Sequence, residues 1–162
     1  MQHPPSRTSA FTLVELLVVI AIIGVLASMV LAAAGFAQKK GARSRAEAEI
    51  AAIGAALESY KVDNGDYPTN ANVNYNNPTS NSNMVTALMP TNGGGKVYFE
   101  FKTKALTNGS YLDPFGYAYG YSYNTYGGGP GYGANNNGAN NYDLWSTAGG
   151  SGTSSNTWIK NW

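Results

Sequence analysis

"SAFTLVELLVVIAIIGVLASMVLAA", residues 9–33, holds a single charge, Glu15, and its reading decides how the rest of the chain is understood. Residues 16–37 are 22 consecutive Leu, Val, Ile, Ala, Met, Phe, Gly and one Ser, and no further charge occurs before Lys39. A helix crosses a bilayer core with about 20 apolar residues. The run exceeds the apolar region of an ordinary secretory signal, about 7–15 residues. It is also apolar on every face, which a helix in the core of a soluble domain seldom is over six turns. A transmembrane helix is the direct expectation. Glu15 then needs an account, because a carboxylate at mid-helix costs up to about 2.5–3.5 kcal/mol on insertion scales, and less near an end. A cation would offset that cost, and a cut before Phe11 creates one. The new α-amino group lies near the membrane, where Glu15 of a neighbouring copy can meet it. The plainer alternative is a Glu15 that reaches the headgroups and has no specific partner.

Composition narrows the chemistry. Charged residues are 12% of the 162, against about 25% in soluble globular chains. Formal net charge is +1, which gives no pull toward nucleic acid. With no Cys, disulfides and thiolate metal sites are excluded, and the one His, His3, leaves no material for a His-based triad or zinc centre. "GGGK", residues 93–96, lacks the spacing and the following Ser or Thr of a phosphate loop. Asp113 and Asp143 are single carboxylates far apart in sequence, with nothing that pairs them as acid and base.

Beyond the apolar run the pattern changes. Ala46, Ile50, Ile53, Leu57 and Tyr60 recur at spacings of 4, 3, 4 and 3, one helical face, while Arg43, Arg45, Glu47, Glu49 and Glu58 point elsewhere. No Pro occurs in residues 11–67, so one helix is expected over residues 11–63, roughly 80 Å at 1.5 Å per residue. Asn64-Gly65 is the stop signal and Pro68 blocks continuation. A helix of this kind fits a lower half in lipid and an upper half packed on a small sheet.

Gly, Asn and Tyr concentrate after residue 62. Residues 70–83 read as a loop and "MVTALM", 84–89, as a helical turn. "KVYFEF", 96–101, alternates and reads as a strand. A turn is expected at 113–116, followed by a row of Tyr117, Tyr119, Tyr121 and Tyr123 on one strand face. Such a row suits a half-buried strand better than a binding surface. Residues 126–141 are low-complexity loop, and "YDLWST", 142–147, is another strand. Asn108-Gly109-Ser110 matches a glycosylation sequon, a pattern short enough to arise by chance.

"AFTLVELLVVIAIIGVLA", residues 10–27, resembles the cleavage and methylation segment of type IV prepilins and type II secretion pseudopilins. The resemblance implies a leader of residues 1–10 carrying Arg7, cleavage between Ala10 and Phe11 by a prepilin peptidase, N-methylation of Phe11, and an assembly role for Phe11 and Glu15. The chain departs from the family at three points. Ala10 stands where Gly is usual before the cut. Ala32 stands where many members have Pro, which leaves Gly24 and Gly35 as the weak points of the helix. Lys39, Lys40, Arg43 and Arg45 after the span outnumber Arg7 before it, so a charge count puts the C-terminal side in the cytoplasm, whereas the family places it outside. The motif is the more specific signal and is followed here.

"YKVDNGDYPTN" at 60–70, and further on "YLDPFG", "YDLWS" and a terminal Trp segment, are similar to the major pseudopilins of type II secretion. In that family the loop after the last strand binds calcium through carbonyls and acidic side chains. Here that loop is "STAGGSGTSSNTW", 146–158, without Asp or Glu. Ser151, Ser154, Ser155 and Asn156 are weaker ligands than carboxylates. No metal ligand is therefore carried over, and no cofactor is assigned.

The expected fold is α+β and pilin-like, with a long N-terminal helix, its lower half transmembrane, packed on a small antiparallel β-sheet. Its parts are leader 1–10, transmembrane and assembly helix 11–37, amphipathic helix 38–63, and β-sheet and loop region 64–162. The resemblance implies a structural subunit, not an enzyme, that forms a homo-oligomeric filament driving protein export. Its implied partners are the prepilin peptidase, minor pseudopilins and an inner-membrane assembly platform. It would span the bacterial inner membrane once, with the C-terminal region in the periplasm, and become an extracytoplasmic filament. The alternatives are a type IV pilus subunit for adhesion, motility or DNA uptake, and a membrane-anchored surface binding protein.

Overall fold

The computed structural model of the chain describes residues 11–69, 81–91, 94–123, 141–150 and 155–162. The chain divides into two units, Met1–Lys40 and Gly41–Trp162. Helix α1, Leu13–Asn64, has 52 residues. It runs without interruption through Gly24, Ala32 and Gly35. An interior Gly costs about 1 kcal/mol relative to Ala, too little to break a helix of this length. The helix ends where the sequence stops it: the Gly65 N–H donates to the Lys61 carbonyl at 2.8 Å, and Gly65 takes φ +85°. A glycine in that left-handed conformation is the common way to close a helix.

In the first unit every described side chain of residues 11–40 is exposed. α1 is long and apolar enough to cross a membrane, and no other helix among the described residues is.

The second unit builds a core. Ala46, Ile50, Ile53 and Leu57 are buried, and Tyr60 packs against them partly buried, as the 4-3-4-3 spacing predicts. They share one cluster with Met84, Val85, Leu88, Phe101, Tyr111, Tyr121 and Leu144 among others. The helix approaches the sheet closely at Gly54, where a Cβ would lie 2.8 Å from the Tyr142 hydroxyl. Helix α2, Ser82–Leu88, takes the place of the expected turn at 84–89 and begins two residues earlier, inside the segment read as loop. The part of that loop at 70–80 lies outside the described residues, as does most of 126–141.

Two antiparallel sheets complete the unit. Strands β1, Leu106–Thr107, and β2, Ser110–Tyr111, pair as a hairpin. Its two-residue turn is Asn108-Gly109, at φ 49° and 77°. Both central residues at positive φ match the twist of the flanking strands, which is why Asn-Gly recurs in such turns. The sequon thus serves as a hairpin turn. Strands β3, Gly120–Tyr123, β4, Tyr142–Ser146, and β5, Ile159–Lys160, form the second sheet in the order β3-β4-β5. Pairing sets Tyr121 opposite Leu144 and Tyr123 opposite Tyr142, with Gly120 opposite Trp145 on the alternate face. Residues 120–123 and 142–146 are buried throughout, so both faces of this sheet are covered.

Residues 96–101 correct the sequence reading, because they form no strand. Their alternation is real, but the backbone N–H groups of Tyr98 and Phe99 donate to the Leu88 carbonyl at the end of α2, at 2.8 and 3.3 Å. The segment is spent on closing a helix and packing Phe101 into the core instead of joining a ladder. The tyrosine row is also shorter than expected. Tyr119, Tyr121 and Tyr123 are buried, while Tyr117 is 51% exposed. Its N–H donates to Asp113 Oδ1 at 2.9 Å and its carbonyl accepts from Asp113 N–H at 2.7 Å, which commits it to the 113–116 turn.

Candidate functional site

The start of α1 is a closed polar device at the edge of an apolar run. Thr12 precedes the helix. Its hydroxyl oxygen accepts from the Glu15 N–H at 3.3 Å, and its own N–H donates to Glu15 Oε2 at 2.8 Å. The Thr12 hydroxyl also donates to Glu15 Oε2 at 2.8 Å. This reciprocal arrangement satisfies amide donors that a helix N-terminus otherwise leaves open. It also sets a negative charge where the helix dipole favours one. Glu15 therefore has a local partner. Thr12 is the residue that reading for function passed over. The signal was present as Thr-x-x-Glu immediately before an apolar run.

Of the residues singled out in the sequence, Phe11 lies just before the first turn, 84% exposed, and Glu15 lies in it. Ala10 and the rest of residues 1–10 lie outside the described residues. Residues 5–31 match the prokaryotic N-terminal methylation motif. The chain carries that motif at its N-terminal end. The N-terminal region is similar to proteins named type II secretion system core protein G. That of Escherichia coli is 48% identical over 63 residues, 39% of this chain and 43% of the relative. That of Aeromonas hydrophila is 44% identical over 63 residues, 39% of this chain and 44% of the relative. That of Pseudomonas aeruginosa is 40% identical over 63 residues, with the same two shares. Each match thus spans less than half the length of the relative. No solved structure matches the chain. The methylation motif and the α+β arrangement, a long apolar helix with small antiparallel sheets, agree with the pilin-like expectation.

The C-terminal loop is the second place where the resemblance raised a site. Its sequence supplies no carboxylate. After Asp143 the chain contains no Asp or Glu. Among the described residues no group of three or more His, Cys, Asp or Glu comes together. Asp113 approaches this region but is occupied. It is buried, and it accepts from Phe115 N–H and Tyr117 N–H, both 2.9 Å, and from the Ser146 hydroxyl at 2.5 Å. Thr147 Oγ1 and Trp158 Nε1 are buried without a hydrogen-bond partner among the described residues, and the indole N–H is a donor that no cation accepts. Calcium takes six to eight oxygens, roughly, with carboxylates foremost. Ser151 and Ser154, read as weak ligands, lie outside the described residues.

Three other carboxylates of the second unit anchor tyrosines. Glu49 accepts from the Tyr119 hydroxyl at 2.9 Å and pairs with Lys102 at 2.7 Å. Glu58 accepts from the Tyr67 hydroxyl at 2.8 Å, and Asp66 from that of Tyr123. Of these, the spacing of Glu49 and Glu58 in the helix shows only that they face away from the apolar stripe. Asn81, fully buried, was invisible in a segment read as loop. Its carboxamide donates to the carbonyls of Tyr111 and Tyr119, both at 2.9 Å, and accepts from Tyr111 N–H at 2.8 Å. It thereby joins the start of α2 to backbone that approaches the second sheet.

Proposed function

We propose that this chain is a structural subunit of a type II secretion pseudopilus that assembles through its N-terminal helix and contributes to protein export, and that it is not an enzyme. The observation that carries the reading is the methylation motif at residues 5–31, set in an N-terminal region similar to core protein G. A membrane-anchored subunit with its C-terminal unit outside the cytoplasm, cut after Ala10 and methylated at Phe11, follows from the same reading. Homo-oligomeric growth, minor pseudopilins, an assembly platform and the prepilin peptidase follow with it.

The geometry suggests how Glu15 takes part. Both Thr12 donors go to Oε2, which leaves Oε1 for the α-ammonium of a neighbouring Phe11. Cutting before Phe11 leaves Thr12 in place, so the cap survives processing. In lipid or a packed fibre the attraction between ammonium and carboxylate is stronger than in water. Removing one partner of a buried pair costs about 3–5 kcal/mol, because the other charge is left alone. In the native host, Glu15→Val is expected to be inserted and cut normally, with N-terminal sequencing beginning at Phe11, while sheared fibre is lost. Glu15→Asp, with a shorter reach, falls between. Wild-type amounts of fibre from Glu15→Val would remove the assembly role, and a mature protein still beginning at Met1 would remove the prepilin reading.

A further inference from the structure

The chain's three indoles, Trp145, Trp158 and Trp162, form a second apolar cluster separate from the main core. Strand alternation explains the separation. Leu144 and Ile159 join the main core, while Trp145, one residue along β4, faces the other way. Trp145 is fully buried and Trp158 is 7% exposed. Their rings stack with centroids 6.0 Å apart and planes 12° from parallel, and Trp162 meets Trp145 edge-on at 6.1 Å. The cluster needs Gly120. A Cβ at that position of β3 would stand 2.0 Å from the Trp145 ring, so the indole presses directly on the strand backbone. Polar ties flank the rings. Arg43 Nη1 donates to the Thr157 carbonyl at 3.0 Å. Asn161 Oδ1 accepts from Leu144 N–H at 2.8 Å, and Asn161 N–H donates to the Leu144 carbonyl at 3.2 Å.

We infer that this indole cluster, rather than a divalent cation, fastens the C-terminal segment 155–162, which carries β5, to strands β3 and β4. The rings supply the apolar burial that holds the segment, and no carboxylate after Asp143 supplies charge for a metal. A fastening of this kind is indifferent to chelators.

The test uses the full chain in detergent micelles. Hydrogen exchange of amides in 155–162 is measured by mass spectrometry, once with chelator and once with millimolar calcium chloride. The wild type is expected to exchange at the same rate in both. Trp158→Ala should exchange on the order of tenfold faster in this segment, with no recovery on adding calcium, and Trp158→Phe should lie between. Trp162→Ala, at the partly exposed edge, should accelerate the segment less and leave β3 and β4 unchanged. Slower exchange of the wild type on adding calcium would overturn the inference, as would unchanged rates in Trp158→Ala. If Trp158→Ala does not fold, Trp162→Ala and the wild-type calcium comparison decide it, because unchanged rates in Trp162→Ala also count against the cluster.

Discussion

Within α1, residues 13–40 bury no described side chain, Leu13 being 81% and Val19 47% exposed, whereas Ala46, Ile53 and Leu57 further along are fully buried. The secondary structure is the same and the hydrogen-bond ladder is the same. What differs is where the apolar surface finds its partner. In the second unit it is the chain's own sheets. In the first no described residue of that unit covers it, and an exposed apolar surface of this size is the kind that meets lipid or other copies. The comparison teaches that helix propensity says little about a helix's surroundings, while the distribution of apolar residues around it says a great deal. Substitutions in the first unit are therefore expected to act on assembly and insertion, and those in the second on folding.

Alkaline pH should separate the two most sharply. The first unit has no tyrosine after Phe11 and before Gly41, while the second unit's core is built from them. Burial, and then Glu49, push the Tyr111 hydroxyl from 10.0 up to about 12. The bond to Asp66, followed by burial, does the same for Tyr123, to about 12. Tyr67, Tyr119, Tyr121 and Tyr142 are also raised, with burial the largest cause in each. The folded unit thus keeps protons that the unfolded chain releases above 10.0. This stability is complete below the unfolded value and is lost as pH rises through the folded ones. Melting temperature should fall steeply from pH 10.0 to about 12 as phenolate absorbance appears, while helical signal from the first unit persists in micelles. A gradual phenolate titration from pH 10.0 with the fold intact would show that these hydroxyls are open to water.

A single core substitution comes next in size. Leu57→Ala should destabilise the second unit by about 2–5 kcal/mol, the range for emptying a well-packed leucine site. Leu26→Ala, at a site 57% exposed, should leave that unit's denaturation midpoint unchanged. Equal losses from the two would mean that the second unit's folding depends on the first, and the division between them would fail.

What could be read in advance follows how local the signal is. The helix, its apolar stripe, its stop at Asn64-Gly65, the 113–116 turn and the 142–146 strand are all written in spacings of a few residues. Residues 96–101 show the limit. Alternation states which side chains share a face, but a strand needs a neighbour, and here the backbone bonds go to Leu88. Asn81 could not be found because its partners, Tyr111 and Tyr119, lie 30 and 38 residues away. The indole cluster likewise needs the pairing of β4 with β5 before Trp145 and Trp158 meet. At the candidate site, Phe11 and Glu15 were marked by a motif. The cap that Thr12 forms with Glu15 was just as local and was missed only because the carboxylate was read for its long-range charge.

The smallest effect is expected at the second unit's surface. Lys96 Nζ lies 2.6 Å from Asp63 Oδ2, with the two side chains 63% and 39% exposed, and 5.0 Å from the Tyr98 ring centroid. The Lys96 hydrogen bond foremost, then that of Tyr98, holds the Asp63 carboxyl below its ordinary 3.8. Whatever stability this carries is present above that value and is lost as pH falls through the lowered one. Exposed pairs of this kind contribute little, because water screens the charges and two long side chains must be held still. Lys96→Met should shift the denaturation midpoint far less than Leu57→Ala. The Asp63 carboxyl, followed by NMR titration, should rise yet stay below 3.8, since the Tyr98 hydroxyl still donates to it at 3.0 Å. High salt should reproduce part of the rise in the wild type. A destabilisation as large as that of Leu57→Ala would mean that the end of α1 is held by its charges, and that the apolar stripe is not what fixes the helix in this unit.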